Sequence, residues 1–157
     1  MTSAEEVAVV PPEGWARNPI IARLFLFFAR KKLYFPQRLV GILIGCDVAC
    51  KIPDDFRIPH PYGIVIHADA KIGNHAVIMH QVTIGALDLG NLAPTIGENV
   101  YVGAGAKILG GIRIGENCVI GANAVVTKDI PAGSTVVGAN RIIKRVRQSG
   151  GKTMASQ

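Results

Sequence analysis

The sequence predicts a mainly β fold, wound as a thin solenoid of triangular coils and preceded by a short helical segment. Three observations carry this. Ile66, Ile72, Ile78 and Ile84 are six residues apart, and after a gap of twelve Ile96, Val102, Ile108, Ile114, Ile120 and Val126 resume the same step. Glycine follows many of them, at 73, 85, 97, 103, 115 and 121. The chain of 157 residues holds 18 glycines but only 6% aromatics, which suits a narrow, tightly turning structure better than a bulky core. A period of six fits neither a helix nor a simple strand. One hexad per side of a triangle fits it, with each aliphatic pointing inward and each glycine expected to permit the bend. The fifth position of each hexad is small or medium (Ala70, Ala76, Val82, Val100, Ala106, Ile112, Cys118, Ala124), as a tight interior needs.

The elements follow in order. Residues 1–14 read as a loose tail. Residues 15–44 read as helical: Ile20, Ile21, Leu24, Phe27 and Phe28 fall at 3–4 spacing, with Arg17, Arg23 and Arg30 between them. Pro36 is expected to break this segment, with a second short helix after it. Residues 45–140 form the coiled domain. Within it, 86–95 leaves the repeat and rejoins in register, as a loop projecting from a corner does, and such loops often carry function. Residues 141–157 are a basic segment and tail, whose first residues are expected to cap the solenoid.

Charge is unevenly placed. Residues 15–45 carry six basic side chains and no acid, and 141–157 carry five and no acid, whereas 46–140 are slightly acidic. The basic flanks and the lack of an aromatic-interleaved basic patch exclude nucleic acid as the partner of the domain. They leave open an anionic membrane surface for 15–44, with packing of that segment onto the assembled protein as the rival reading. The cysteines are odd in number (Cys46, Cys50, Cys118) and no secretory signal is evident, so all three read as free thiols and the location as cytoplasmic, at the inner face of the membrane where 15–44 meets lipid. The apolar stretch 19–29 contains Arg23 and is too short to span a bilayer.

All four histidines (His60, His67, His75, His80) fall within 22 residues. Imidazole titrates near neutrality and can take a proton from a hydroxyl. No carboxylate or thiol completes a metal set, so no metal is expected. His75, beside Asn74 at a turn, reads as a residue without chemistry.

The hexad pattern resembles that of the hexapeptide-repeat, left-handed parallel β-helix proteins. Within them, the runs His60-Pro61-Tyr62-Gly63-Ile64-Val65-Ile66, Val82-Thr83-Ile84-Gly85, 102–110 and 120–126 resemble the serine acetyltransferase branch of the acyltransferases. The resemblance implies a homotrimer with active sites between subunits, acetyl-CoA as acetyl donor, and His60 as general base oriented by Asp47, at a shorter spacing than the family shows. His80 is the alternative base, and His67 a residue lining the same cleft for the acceptor. Ala86, Ala104 and Ala122 would lie against CoA, with Lys128 and Arg141 as partners of its phosphates. A backbone amide near the loop would steady the thioester oxyanion.

Two departures bear on the acceptor. Leu92-Ala93 precede Pro94 where those enzymes hold the serine carboxylate with an Arg-His pair, and Pro59 replaces the acid that faces the serine amine. The expectation is therefore an O-acetyltransferase of a sugar or glycan-precursor hydroxyl, as in polysaccharide biosynthesis. The alternatives are a serine O-acetyltransferase of cysteine biosynthesis and a non-catalytic β-helix scaffold.

Overall fold

The computed structural model describes residues 17–87 and 92–145. The expected N-terminal tail, 1–14, the part of the expected C-terminal segment from 146 to 157, and part of the loop fall outside them. The chain builds a parallel β-helix of triangular coils on three faces. Face A stacks β1 (Asp47–Val48), β2 (Val65–Ile66), β5 (Thr83–Gly85), β8 (Lys107–Leu109) and β11 (Val125–Val126). Face C stacks β3 (Lys71–Ile72), β6 (Thr95–Ile96) and β9 (Arg113–Ile114). Face B stacks β4 (Val77–Ile78), β7 (Tyr101–Val102), β10 (Val119–Ile120) and β12 (Ser134–Val137).

The repeat aliphatics fill the interior as expected. Ile66, Ile84, Ile108 and Val126 stack beneath face A, and Ile78, Val102, Ile120 and Val136 beneath face B, all essentially without solvent contact. Full burial of such a side chain contributes on the order of 1.5–3 kcal/mol. Backbone groups pair from coil to coil: the Thr83 amide donates to the Ala106 carbonyl at 3.0 Å, and the Lys107 amide to Ala124 at 2.8 Å. The solenoid also runs further than the six-residue step suggests. Val48, Ile52 and Ile58 form an additional first coil, and Ile130 and Val136 continue the last one. Pro53, Asp54, Asp55 and Pro59 hide the first coil in the sequence.

The glycines do not make the bends. Left-handed backbone falls two residues after the glycine position, at His75, Gln81, Asn99, Gly105, Asn117 and Asn123. Asparagine tolerates this conformation better than most residues. Stacking requires four of them instead, at 73, 97, 103 and 115, whereas a Cβ on Gly85 would meet nothing within 4 Å. A Cβ on Gly73 would lie 2.6 Å from the Gly97 carbonyl group, and one on Gly103 would lie 2.6 Å from the Ala122 nitrogen.

Both ends of the solenoid are covered, which removes open strand edges. At the start, α1 (Ile20–Arg30) and α2 (Tyr34–Ile44) pack together. The Asn18 side chain donates to the Phe56 carbonyl (3.0 Å) and accepts from the Ile58 amide (2.6 Å), and the Gln37 amide donates to the Val48 carbonyl (3.0 Å). At the finish, β13 (Arg141–Arg145) folds back antiparallel to β12, as a cap was expected to do. Two helical expectations are corrected. The chain breaks at Lys31–Leu33, with Lys32 left-handed, while Pro36 sits in the first turn of α2, where its missing N–H costs no helical bond. The buried stripe of α1 is Ala22, Phe25 and Leu26, so Ile20, Leu24 and Phe27 face outward.

Replacing Gly103 with Val should lower stability by about 2–4 kcal/mol, as overpacking against a backbone nitrogen does. The outward Glu116→Ala change, at an exposed corner away from face A, should alter it by less than about 0.5 kcal/mol. Chemical denaturation with a common slope checks the pair, and equal midpoints for both variants would contradict the stacking role.

Candidate active site

The corner between faces B and A collects four of the nine site residues singled out in the sequence. Arg57 pairs with Val77, so His60 and His80 occupy equivalent places on consecutive coils. Their rings meet edge-to-face with centroids 5.9 Å apart. The same place on the next two coils is held by Ala104 and Ala122, in the registers Ile78 to Val102 and Val102 to Ile120. The column is tied by backbone bonds, Gly105 amide to His80 carbonyl at 2.9 Å and Asn123 amide to Ala104 carbonyl at 2.8 Å. Arg141 lies beyond its last turn, exposed at the start of β13.

His60 is exposed and His80 half-buried. The His80 Nδ1 is buried and has no hydrogen-bond partner among the described residues. A buried polar nitrogen without a partner costs free energy unless something outside the fold satisfies it. This corner is wider in the first coil than in later ones, since 61–63 add two residues to the eighteen-residue turn, with Gly63 left-handed (φ 65°).

The other corner of face A, towards face C, holds the remaining expected residues. His67 follows β2, its Nδ1 accepting from the Asp69 amide at 3.2 Å. Ala86 follows β5 one coil later, where the loop leaves, and Lys128 is exposed on the last coil. Within one chain, therefore, Ala86 and His67 do not join the column of His60, Ala104 and Ala122. The two columns border the same face, A, whose outward residues include the exposed Val65 (44%) and Val125 (39%).

Asp47 opens β1, in register with Val65, and makes no hydrogen bond or ion pair with His60. Asp47 is exposed and is among the residues lining a groove of about 830 Å³ between α2 and the first coil. The carboxylate that does meet an imidazole is Asp55, whose Oδ2 lies 2.6 Å from the His75 Nδ1 at the corner between faces C and B. The sequence reading passed over this pair. The signal was present: Asp55 and His75 are separated by the same twenty residues as His60 and His80. Among the described residues no group of three or more His, Cys, Asp or Glu side chains is placed to hold a metal ion.

The three thiols are buried. Cys46 donates to the Pro61 carbonyl at 3.1 Å, beneath the histidine corner. Burial raises the Cys46 and Cys118 thiols and pushes Cys50 up to about 11.

Comparison with known proteins gives a consistent picture. A family model described as bacterial transferase hexapeptide, six repeats, matches residues 93–128. A serine acetyltransferase of Helicobacter pylori is 44% identical over 119 residues, covering 74% of this chain and 68% of its own length. The structure of a Neisseria gonorrhoeae serine acetyltransferase in complex with serine aligns with a TM-score of 0.63 at 38% identity, over 74% of this chain and 49% of that one. That of a Brucella abortus serine acetyltransferase in complex with coenzyme A aligns at 0.70 and 30% identity, over 80% of this chain and 54% of that one. The chain thus spans about half the length of these structural relatives.

The thiols give a test of the packing under the site. A thiol held neutral keeps its proton while the unfolded chain loses it, so stability should fall as pH rises from the unfolded value near 9 towards about 11. Replacing Cys50 with Ala should flatten that fall in a series of melts. A Cys50→Ala protein with the same alkaline slope as the parent would rule out the buried thiol as its source.

Proposed function

The chain belongs to the serine acetyltransferase-like branch of the hexapeptide-repeat acyltransferases, left-handed parallel β-helix proteins, and on that premise we propose that it transfers an acetyl group from acetyl-CoA to a hydroxyl, with His60 as general base. The observation that carries this reading is the column at the corner of faces B and A. It sets an exposed imidazole one coil from a second one, in line with two alanines whose small side chains leave the corner open to a thin chain such as the pantetheine of CoA.

In this mechanism the neutral imidazole of His60 takes the proton of the acceptor hydroxyl as its oxygen attacks the thioester carbonyl carbon. The ester C–O bond forms and the C–S bond breaks. The proton returns from the imidazolium to the departing sulfur, and no acyl-enzyme forms. The buried thiols take no part. Asp47 acts on His60 in this reading only when the first coil shifts or a neighbouring copy closes over face A.

Assembly follows from the placement of the two columns. If three copies turn face A towards a common axis, the His67 and Ala86 corner of one copy meets the His60 corner of the next, which is a closed heterologous arrangement. Val65 and Val125 would then be covered. Sedimentation should give three chains, and a fully active single chain would exclude the shared site.

Serine is the acceptor this reading adopts. Its support is the name shared by the relatives, at up to 44% identity over most of this chain. The sugar hydroxyl and the link to polysaccharide synthesis expected from the sequence give way to it, because the relatives reported above carry the name of serine acetyltransferase. One observation keeps a sugar hydroxyl as the second reading. Pro59 and the Leu92-Ala93 pair offer no charge to a zwitterion, and a carboxylate buried against them would be costly.

Release of CoA by the purified protein, with L-serine and with a panel of sugars and nucleotide sugars, separates the two acceptors. Turnover with serine supports the first, and turnover with sugars alone transfers the reading to the second. His60→Ala should lose about 10²–10⁴ in turnover with acetyl-CoA affinity retained. Ala104→Leu should instead weaken acetyl-CoA. If His60→Ala keeps the parent rate while His80→Ala is inactive, the base lies one coil later.

A further inference from the structure

The helical cap presents a surface that the acyl-transfer reading does not use. The five residues at the turn between α1 and α2, Lys31, Lys32, Leu33, Tyr34 and Phe35, are all exposed, Tyr34 at 73% and Phe35 at 84%. Leu39, Ile42 and Leu43 continue from Phe35 at helical spacing along the outer face of α2, Leu43 being 74% exposed. The inward side of α2 is held by Gly41 and Ile44 against α1 and the first coil. A face of this kind, large apolar side chains in sequence and on one helix, is costly in water and marks a contact surface.

Its charge selects the occupant. Residues 15–45 hold Arg17, Arg23, Arg30, Lys31, Lys32 and Arg38 and no acid. Arg30 is engaged with the first coil through Asp54 at 3.5 Å. The other five make no ion pair with a described residue. A second copy of the same cap would set like charges against each other. A bilayer with anionic headgroups would instead accept the aliphatic and aromatic side chains below the headgroup level and the lysines and arginines at it. No helix among the described residues is long and apolar enough to cross a membrane, so the contact is one of lying on the surface.

We propose that the tip of the α1–α2 hairpin, residues 31–35 with the outer face of α2, docks the protein on an anionic lipid surface. The histidine corner of the first coils lies beside this cap, so docking would bring acetyl transfer close to the membrane. The docking itself stands whichever acceptor is used.

Flotation of the full-length protein tests it, with phosphatidylcholine vesicles made with and without phosphatidylglycerol. Roughly tenfold or more protein should float with the anionic vesicles, and raised salt should release it. Lys31→Glu with Lys32→Glu, and separately Phe35→Gln with Ile42→Gln, should each lower the bound fraction about tenfold, with CoA release in solution unchanged. Absence of flotation by the parent protein, or equal flotation on neutral vesicles, overturns the proposal. So does a parent assembly larger than the Phe35→Gln/Ile42→Gln variant's that binds no vesicles, since a second copy then covers the face. Salt release is read on the parent protein and needs no variant to fold.

Discussion

Coil-on-coil stacking at the corners is the constraint on which everything else in this molecule depends. The coils approach so closely that the residue after each interior aliphatic has room for nothing larger than hydrogen at Gly73, Gly97 and Gly103. That closeness brings the backbone amides of one coil onto the carbonyls of the next and aligns equivalent residues into columns. The chemistry is laid out by the same rule. His60, His80, Ala104 and Ala122 are neighbours in space because they are equivalent within the repeat, although 62 residues separate the first from the last. At the two coils that carry the histidines, the glycine place is taken by Pro59 and Met79.

Much of this was legible in the sequence, and the parts that were not have identifiable causes. The middle of the solenoid announces itself because each interior position admits one aliphatic and the step never varies between Ile96 and Val126. The first coil escaped because the two-residue widening at 61–63 breaks the step. Once a turn of twenty is allowed, both the stacking of His60 on His80 and the pairing of Asp55 with His75 follow from arithmetic. Asp47 was matched to His60 on family order, and it stands at the start of β1 in register with Val65, without a hydrogen bond to His60 among the described residues. The face of α1 was misjudged for another reason. Apolar residues surround that helix, so periodicity cannot say which stripe is inside, and the small Ala22 allows the close approach that larger residues would prevent.

The division of the expected site between two corners has the same origin. Ala86 and Ala104 look alike in the repeat, each two residues past an interior aliphatic. One hexad is a third of a turn, and the loop at 86–95 displaces the count without displacing the coil. Alignment by residue type alone therefore gathers residues that a single chain holds on opposite edges of face A. A site requiring both edges is an assembled site, and its activity would depend on protein concentration wherever subunits separate.

The Asn18 side chain, with its two bonds to Phe56 and Ile58, bears on how the molecule forms and frays. A solenoid in which each coil touches only its neighbours gains order step by step, and its terminal coils open before its middle. The histidine corner begins on the first coil, at the end most prone to opening. By clamping the strand just ahead of Pro59 and His60, a single asparagine lying before α1 joins the persistence of that coil to the docking of the helices. Hydrogen exchange at the amides of 56–58 and 60 would thus report on the helical cap as much as on the β-helix, and the segment that carries His60 would share the lifetime of the helices rather than that of the core.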